Sequence, residues 1–249
     1  MNNALFTSFD VLRCTGFLMA VVALWIGTGI LKKYHFLQEA HSRKINHMFV
    51  FIGGALVFGW TPEEVARINL YVICLSILLL VFIVCQFQDS FPFRYAYLAN
   101  TRDSDAPHSS FFFWFSWLIS ILGLAIVDLF FSQIAVTRTA VLIVGLGDGC
   151  AELIGRHWGR RFYRIFSWGQ ISSLRSLEGS LACWSVTLIV MLCCCKPTLG
   201  LSSWIISALL MSTIITLVEA ISPRNCDNFF LLVSSSALVN LFFLAHWIS

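Results

Sequence analysis

Charged residues are scarce in this chain. Only 12% of its 249 residues are Asp, Glu, Lys or Arg, and 58% are hydrophobic, whereas a soluble domain is roughly 25% charged. This composition excludes an ordinary soluble protein and indicates an integral membrane protein with no separate soluble domain. The formal net charge of +3 is small and does not call for a nucleic-acid partner.

Two sequence signals are also missing. The nine cysteines show no CxxC spacing, and most of them lie in apolar segments. The adjacent residues Cys193, Cys194 and Cys195 suit neither a zinc site nor a disulfide framework. We therefore expect the cysteines to be small packing residues. The first apolar run is too long for a signal peptide and lacks a basic n-region, so we expect no cleaved signal here.

Long apolar segments make up most of the sequence. A bilayer core is crossed by about 20 apolar residues as a helix. The sequence predicts an all-α, polytopic membrane helix bundle, a single integral membrane domain over residues 1–249. About eight spans are predicted, at residues 12–31, 48–61, 68–88, 111–131, 136–154, 178–195, 199–218 and 228–247.

The basic residues suggest an orientation for these spans. With the N-terminus outside, the inner loops are 32–47, 89–110, 155–177 and 219–227, and they hold most of the 16 Lys and Arg residues. The positive-inside rule favours this arrangement. It also places the inner ends of several spans, with their charged clusters, at one face of the membrane.

The stretch GLGDGCAELIGRHWG, residues 145–159, carries the first cluster. Asp148, Glu152, Arg156 and Arg160 are each four residues apart, so on a helix they fall along one face, with the carboxylates at its deep end. Carboxylates bind Mg²⁺ and Arg binds phosphate oxygens, so this face could hold a metal-bound nucleotide. The glycines of the stretch would let backbone N–H groups approach phosphate. The alternative is a membrane helix with packing glycines and charges that mark the end of its span.

Two further clusters flank later spans. Glu178 begins span six beside Gly179 and Ser180, with Arg175 three residues earlier. Its functional interpretation is a second Mg²⁺ ligand with a phosphate-binding Arg, and the alternative is a capping residue favoured by the helix dipole. Asp227 opens span eight and could be a metal ligand or simply an N-cap.

The fourth cluster, Arg43, Lys44 and His47, is either a phosphate-binding pair with a histidine or a basic loop at anionic lipid headgroups.

Ionisable groups at membrane depth are costly and usually functional. Four carboxylates are predicted at the same end of the bundle, and we expect them to form one site rather than four separate caps: Asp148, Glu152, Glu178 and Glu219. Asp128 lies near the opposite face and is left out, and His246 is expected to be a packed or interfacial residue.

At these residues the chain resembles the CTP-dependent polyprenol and lipid kinases. The motifs GDGCAELIGRHWG, RSLEGSLACW and EAISPRNCDN, together with RKINH upstream, follow the family's order over residues 43–230. The family includes phytol kinase, dolichol kinase and the yeast-type diacylglycerol kinase, and it is distantly similar to phosphatidate cytidylyltransferases. One departure is Arg175, where many members carry Lys.

The resemblance implies a kinase that transfers the γ-phosphoryl group of CTP to a lipid hydroxyl, with Mg²⁺ or another divalent cation as cofactor. By matching motif, Arg43 and Lys44 stand at the family's basic pair, Asp148 at its Gly-Asp aspartate, Glu178 at its Glu-Gly pair and Asp227 at the acidic position of its last motif. The expected catalytic residues are Asp148, Glu178, Lys44 and Arg43. The expected nucleotide- and phosphate-binding residues are Gly147, Gly149, Gly155, Arg156, Gly159, Arg160, Arg175, Gly179 and Ser180. The expected metal ligands are Asp148, Glu152, Glu178 and Asp227.

The sequence therefore predicts a multi-pass lipid-alcohol kinase of the endoplasmic reticulum, a plastid or a bacterial inner membrane. The substrate is expected to be phytol-like, dolichol-like or diacylglycerol, with its tail entering sideways between spans. Asp148, Glu152 or His47 could accept the hydroxyl proton. Expected partners are a membrane lipid and a nucleotide, with no nucleic acid and a homo-oligomer left open. The alternatives are CDP-lipid synthesis by a cytidylyltransferase-like enzyme, a transporter, and a purely structural membrane protein.

Overall fold

The computed structural model describes residues 8–59, 63–131, 133–165, 173–195 and 201–244. Apart from one short antiparallel hairpin, the regular structure in these ranges is helical. The chain divides into two compact units, Met1–Ile121 and Leu122–Ser249. The sequence predicts a single integral membrane domain over residues 1–249, and this stays a prediction.

The N-terminal unit is built from helices that surround a tryptophan. Trp25 is fully buried, and its ring centroid lies 6.0 Å from that of Phe113 and 5.9 Å from that of Trp117. A short helix lies close against the first helix at Gly29, where a side chain would collide with the Tyr95 carbonyl. The helices are α1 (Ser8–Lys33), α2 (Glu39–Gly59), α3 (Glu63–Gln86) and α4 (Phe93–Asn100), then a 3₁₀ turn (Asp103–Asp105) and α5 (Ser109–Phe130), which continues into the second unit.

In the C-terminal unit an apolar segment is followed by a hairpin and three helices. Helix α6 (Ile134–Leu142), a π-helical turn (Ile143–Asp148) and α7 (Gly149–Trp158) follow one another directly. Strands β1 (Phe162–Ile165) and β2 (Ser173–Ser176) pair antiparallel, with Phe162 opposite Ser176. Helices α8 (Leu177–Cys194), α9 (Leu201–Ile221) and α10 (Asp227–Leu244) complete the unit. The central helix α8 contacts α7, the π-helical turn and α9.

Among the described residues, six segments are long and apolar enough to cross a membrane: Asp10–Lys33, Val65–Gln86, Ser109–Phe130, Ile134–Trp158, Leu177–Cys194 and Leu201–Ile221. The chain is thus an all-α, polytopic membrane helix bundle, as predicted. The other two predicted spans also correspond to helices. The second corresponds to the part of α2 that ends at Gly59, and the eighth corresponds to α10, whose apolar part, Asp227–Leu241, is shorter. The predicted ends of the second span at 61 and of the eighth at 247, and His246, lie outside the described residues.

Three loop predictions differ from the structure. The predicted loop 32–47 is largely helical, because α1 continues to Lys33 and α2 begins at Glu39. The predicted loop 89–110 contains α4, and the loop 155–177 contains the hairpin. The hydropathy profile missed the start of α2 because it carries polar residues, and it missed α4 and the hairpin because they are too short to cross a bilayer.

Candidate functional site

The predicted charged stripe on α7 is correct for its first three residues. Asp148 is 4% exposed, and the side chains of Glu152 and Arg156 are 17% and 52% exposed, so exposure rises along the face as predicted. The prediction was wrong for Arg160, which lies beyond the helix. Gly159 ends α7 with φ −61° and ψ 128°, an extended conformation that directs the chain toward β1.

The glycines of the Gly-Asp stretch lie at a close contact between α7 and α8. A Cβ on Gly179 would lie 2.6 Å from the Ala151 carbonyl oxygen, and one on Gly155 would lie 2.7 Å from Ser176 Oγ. Ser176 in turn caps α8, since its Oγ accepts a hydrogen bond from the N–H of Gly179 at 3.1 Å. These glycines therefore fill the packing role that the sequence left as an alternative. Their contact with phosphate stays a prediction.

Arg175 is the centre of the site's charges. Its guanidinium forms an ion pair with Glu219 at the end of α9. Its Nη2 atom lies 3.7 Å from Asp227 Oδ2 at the start of α10 and donates to the Ser222 carbonyl at 3.3 Å. The side chains of Arg175, Glu219 and Asp227 are only 13%, 4% and 17% exposed. One buried cation thus connects the hairpin to the ends of two helices, and we call these three residues the Arg175 cluster.

Asp148 lies at the last residue of the π-helical turn. Such turns are rare and frequently mark functional sites. A Cβ on the preceding Gly147 would lie 3.4 Å from both Cys183 Sγ and Thr187 Oγ1, so this turn packs directly on α8. The π-helical turn also contacts α10, whose first residue, Asp227, lies 3.7 Å from Arg175 Nη2. The turn that carries Asp148 therefore contacts a helix that contributes to the Arg175 cluster.

Glu178 and Glu152 have local partners. Glu178, in the first turn of α8, accepts a hydrogen bond from the N–H of Arg161 at 3.4 Å and so attaches the hairpin to the helix. This is close to the helix-terminus role that the sequence offered as its alternative. Glu152 Oε1 lies 3.3 Å from Arg156 Nη2 in an i, i+4 pair. Their roles as metal ligands stay predictions.

The remaining phosphate-binding candidates differ in exposure. Ser180 shares a 2.7 Å hydrogen bond with the hydroxyl of Tyr163 on β1. Arg156 and Arg160 are exposed, as are Arg161 and Arg164 around the hairpin. These exposed guanidiniums form a basic rim near the end of α7. The role of Gly149 stays a prediction.

The basic pair belongs to the N-terminal unit. Lys44 is 2% exposed, Arg43 is half-buried, and the His47 ring centroid lies 4.5 Å from that of Phe51. The neighbouring Asn46 is fully buried. It interacts with Thr28 Oγ1 at 3.0 Å and donates to Asn100 Oδ1 at 3.3 Å. Lys44 is thus part of a packed helix face rather than of an exposed basic loop.

The acidic residues of the C-terminal unit fit a divalent cation that is shared with phosphates. Within the described ranges no group of three His, Cys, Asp or Glu residues is arranged to hold a metal by itself. Mg²⁺, however, usually takes one or two carboxylates and completes its shell with phosphate oxygens and water. Glu219 Oε2 is buried without a hydrogen-bond partner among the described residues, so the Arg175 cluster retains an acceptor. Asp148 and Asp227 supply carboxylates on elements that contact each other, the π-helical turn and α10.

Sequence reasoning counted Glu219 among the carboxylates at this end but did not select it as a site residue. It ends a long apolar span, and an ionisable group at such a depth needs a partner. That rule could have identified Glu219, although it does not tell which cation pairs with it. Compared with known protein families, curated proteins and solved structures, the chain matches none.

Proposed function

We propose that this protein is a membrane-embedded kinase that transfers the γ-phosphoryl group of CTP to the hydroxyl of a lipid alcohol. The observation that carries the proposal is the Arg175 cluster, a buried cation between two carboxylates, with Asp148 on the π-helical turn that contacts α10, the helix of Asp227. The ordered motifs of the sequence support the same assignment. Phosphoryl transfer asks mainly for positioning and charge neutralisation, which such a set of side chains supplies.

The cations would bind the triphosphate. Arg175 carries five N–H donors, so it can keep its contact with Glu219 while it donates to a phosphate oxygen. The exposed Arg156 and Arg160 are long enough to approach the same phosphates from the basic rim. Asp148 and Asp227 are the residues that would hold Mg²⁺. When bound, the ion would neutralise the charge that develops on the phosphate oxygens.

The reaction moves one phosphoryl group and one proton. A bond forms between the lipid oxygen and the γ-phosphorus, the bond from that phosphorus to the β–γ bridging oxygen breaks, and CDP leaves. The hydroxyl proton passes to one of the three acceptors that the sequence left open, Asp148, Glu152 or His47.

Product analysis tests this proposal. Purified protein in phospholipid nanodiscs is given γ-labelled CTP, Mg²⁺ and, in separate reactions, phytol, dolichol or diacylglycerol. We expect labelled lipid phosphate and an equal amount of CDP with one of the three. A reaction that consumes a lipid phosphate and releases pyrophosphate would instead identify the cytidylyltransferase alternative. The absence of labelled lipid with all three alcohols would contradict the kinase proposal.

A further inference from the structure

A groove lies on one side of α8, next to α9. It has a volume of about 370 Å³ and is lined by Leu177, Ser180, Leu181, Trp184 and Thr216. The four α8 residues follow the i, i+3, i+4, i+7 spacing of a single helix face. The volume falls in the lower part of the range for small-molecule sites, about 300–1,000 Å³. We call this surface the α8–α9 groove.

Hydrogen bonds fix the two ends of the α8–α9 groove. At one end, Ser180 shares its 2.7 Å hydrogen bond with Tyr163. At the other end, the indole N–H of Trp184 donates to Thr213 Oγ1 at 3.1 Å. Leu177 and Trp184 are seven residues apart, which is about 10 Å along a helix. The groove is therefore an open surface, about 10 Å long, with hydroxyl groups at one end and a fixed aromatic ring at the other.

The hydroxyl end lies near the Arg175 cluster. Arg175 comes two residues before α8 begins and is ion-paired with Glu219. Glu219 follows Thr216 of the groove by three residues, or about one helical turn. A chain lying in the groove would thus present its polar end toward the phosphate-binding side chains.

The surroundings of the groove determine the chemistry of its occupant. Both α8 and α9 are long and apolar enough to cross a membrane, so hydrocarbon rather than water would contact their exposed faces. Leu177 and Leu181, which line the groove, are 52% and 63% exposed. An apolar chain gains about 0.8 kcal/mol for each methylene removed from water, but it gains nothing comparable on moving from lipid tails. Selection must therefore come from shape and from the hydroxyl groups at one end.

We propose that the α8–α9 groove binds the lipid alcohol by the part of its apolar chain next to the hydroxyl, with that hydroxyl at Ser180 and Tyr163. Trp184, the bulkiest side chain of the lining, meets the chain at the far end and determines which chain shapes fit. This inference rests on the proposed function for its choice of a lipid alcohol. Phospholipids differ because they have no free hydroxyl next to their apolar chains to contact Ser180 and Tyr163.

Photo-cross-linking tests the occupant without requiring turnover. Protein in phospholipid nanodiscs is incubated with a phytol analogue that carries a diazirine near the hydroxyl, then irradiated and mapped by mass spectrometry. We expect labels at residues 177–184 and around 216. Unlabelled phytol should compete, whereas added phospholipid should not. Equal competition by phospholipid would mean that bulk membrane lipid fills the groove, and labels confined to other helices would also overturn the proposal.

Two variants fill the groove, and one matched variant does not. Leu181→Trp and Leu177→Trp each add a large ring to the lining. Leu210→Trp places the same ring on α9, six residues before Thr216 and so on a different face, at a residue that is 49% exposed. We expect the first two to reduce groove labelling at least 10-fold and the third to leave it unchanged. Equal labelling in all three would contradict the proposal. If one groove variant fails to fold, the other gives the comparison.

Kinetics separates this inference from the proposed function. In Leu181→Trp, the KM for the lipid should rise at least 10-fold while the KM for CTP stays the same. Phosphorylation with an unchanged lipid KM and labels elsewhere would remove the groove and keep the kinase. Specific groove labelling by phytol, with no phosphorylated lipid under any condition, would remove the kinase and keep the groove as a lipid-alcohol site.

Discussion

The two units of this protein satisfy their buried polar groups in different ways. Beside the buried Lys44, the N-terminal unit has a neutral buried network: Asn46 contacts Thr28 and Asn100, and the Asn100 amide also donates to the Ala96 carbonyl. In the C-terminal unit the corresponding position is taken by charges, with Arg175 between Glu219 and Asp227.

This difference indicates that the neutral hydrogen bonds of the N-terminal unit hold its helices together, whereas the charged side chains of the C-terminal unit can also bind a ligand. Neutral bonds between membrane helices contribute modestly to stability, with an average of about 0.6 kcal/mol. A buried ion pair adds little net stability, but removing one of its members leaves an uncompensated charge. Such a pair is weak evidence for stability and stronger evidence for function. The contrast therefore supports the C-terminal unit as the place of the proposed chemistry.

Removing the central cation should have the largest effect. In Arg175→Met, Glu219 and Asp227 would stay buried without their partner, and we expect a loss of about 3–5 kcal/mol in the free energy of unfolding. Denaturant titration in detergent measures it. Arg164→Met, at an exposed position of β1, is the matched control. A loss no larger than that of the control would contradict the account of a buried charge cluster.

The double variant Arg175→Met with Glu219→Gln sharpens the same test. Replacing the carboxylate removes the charge that Arg175→Met leaves uncompensated, so part of the lost stability should return. Strictly additive losses would mean that Arg175 and Glu219 do not act as a pair.

Helix contact in the C-terminal unit depends on the absence of a Cβ. In Gly179→Ala the new Cβ would lie 2.6 Å from the Ala151 carbonyl oxygen, so α7 and α8 must separate. We expect a loss of about 1–3 kcal/mol. In the N-terminal unit, Gly16→Ala meets no atom within 4 Å and should be neutral or stabilising by about 0.5–1 kcal/mol. Thermal unfolding of the two variants compares them, and equal midpoints would refute the close contact.

Breaking the neutral network should have a smaller effect. Asn46→Leu removes the partner of Thr28 and Asn100, and we expect a loss of about 1–2 kcal/mol. Thr15→Val is the control, since Thr15 bonds only the carbonyl of Val11 one turn earlier and lies near the surface. A loss above that of Arg175→Met would reverse the contrast between the two units.

The smallest expected effect is a change in the reactivity of the Cys226 thiol, which reports the charge of Asp227. Burial, and then the negative charge of Asp227, raise the pKa of the Cys226 thiol above its ordinary value. Both causes disfavour the thiolate, so Cys226 should react with iodoacetamide only at higher pH than a free cysteine peptide does. Asp227→Asn should shift that rate profile toward lower pH. An unchanged profile, followed on the Cys226 peptide by mass spectrometry, would show that Asp227 does not act on this thiol.

Hydropathy predicted the long helices well, because a span of about 20 apolar residues is a local property of the chain. The predicted span 111–131 corresponds to α5, Ser109–Phe130, and the predicted span 199–218 to α9, Leu201–Ile221. The start of α2 was missed because its buried polar residues, Ser42, Lys44 and Asn46, give this part of the sequence the composition of a polar loop. Their burial depends on α1 and α4, which no local pattern of α2 reveals.

Many residues of the candidate site could be selected from the sequence, but their contacts with one another could not. The charges at the ends of the spans were visible, yet Glu219 pairs with Arg175 across 44 positions of sequence, and only the fold brings them together. The Arg160 prediction failed because it assumed that α7 continues past Gly159. The glycines were correctly singled out, while their contact with α8 required the three-dimensional structure.

The most direct test of the central claim compares two carboxylate variants in the γ-phosphoryl transfer assay. Asp148→Asn removes a buried charge from the π-helical turn that contacts α8 and α10, and Asp128→Asn removes one that the predicted site does not include. The account predicts that Asp148→Asn lowers lipid phosphorylation on the order of 100-fold or more, while Asp128→Asn keeps the wild-type rate. Wild-type transfer in Asp148→Asn, in protein that unfolds at the wild-type temperature, would contradict it.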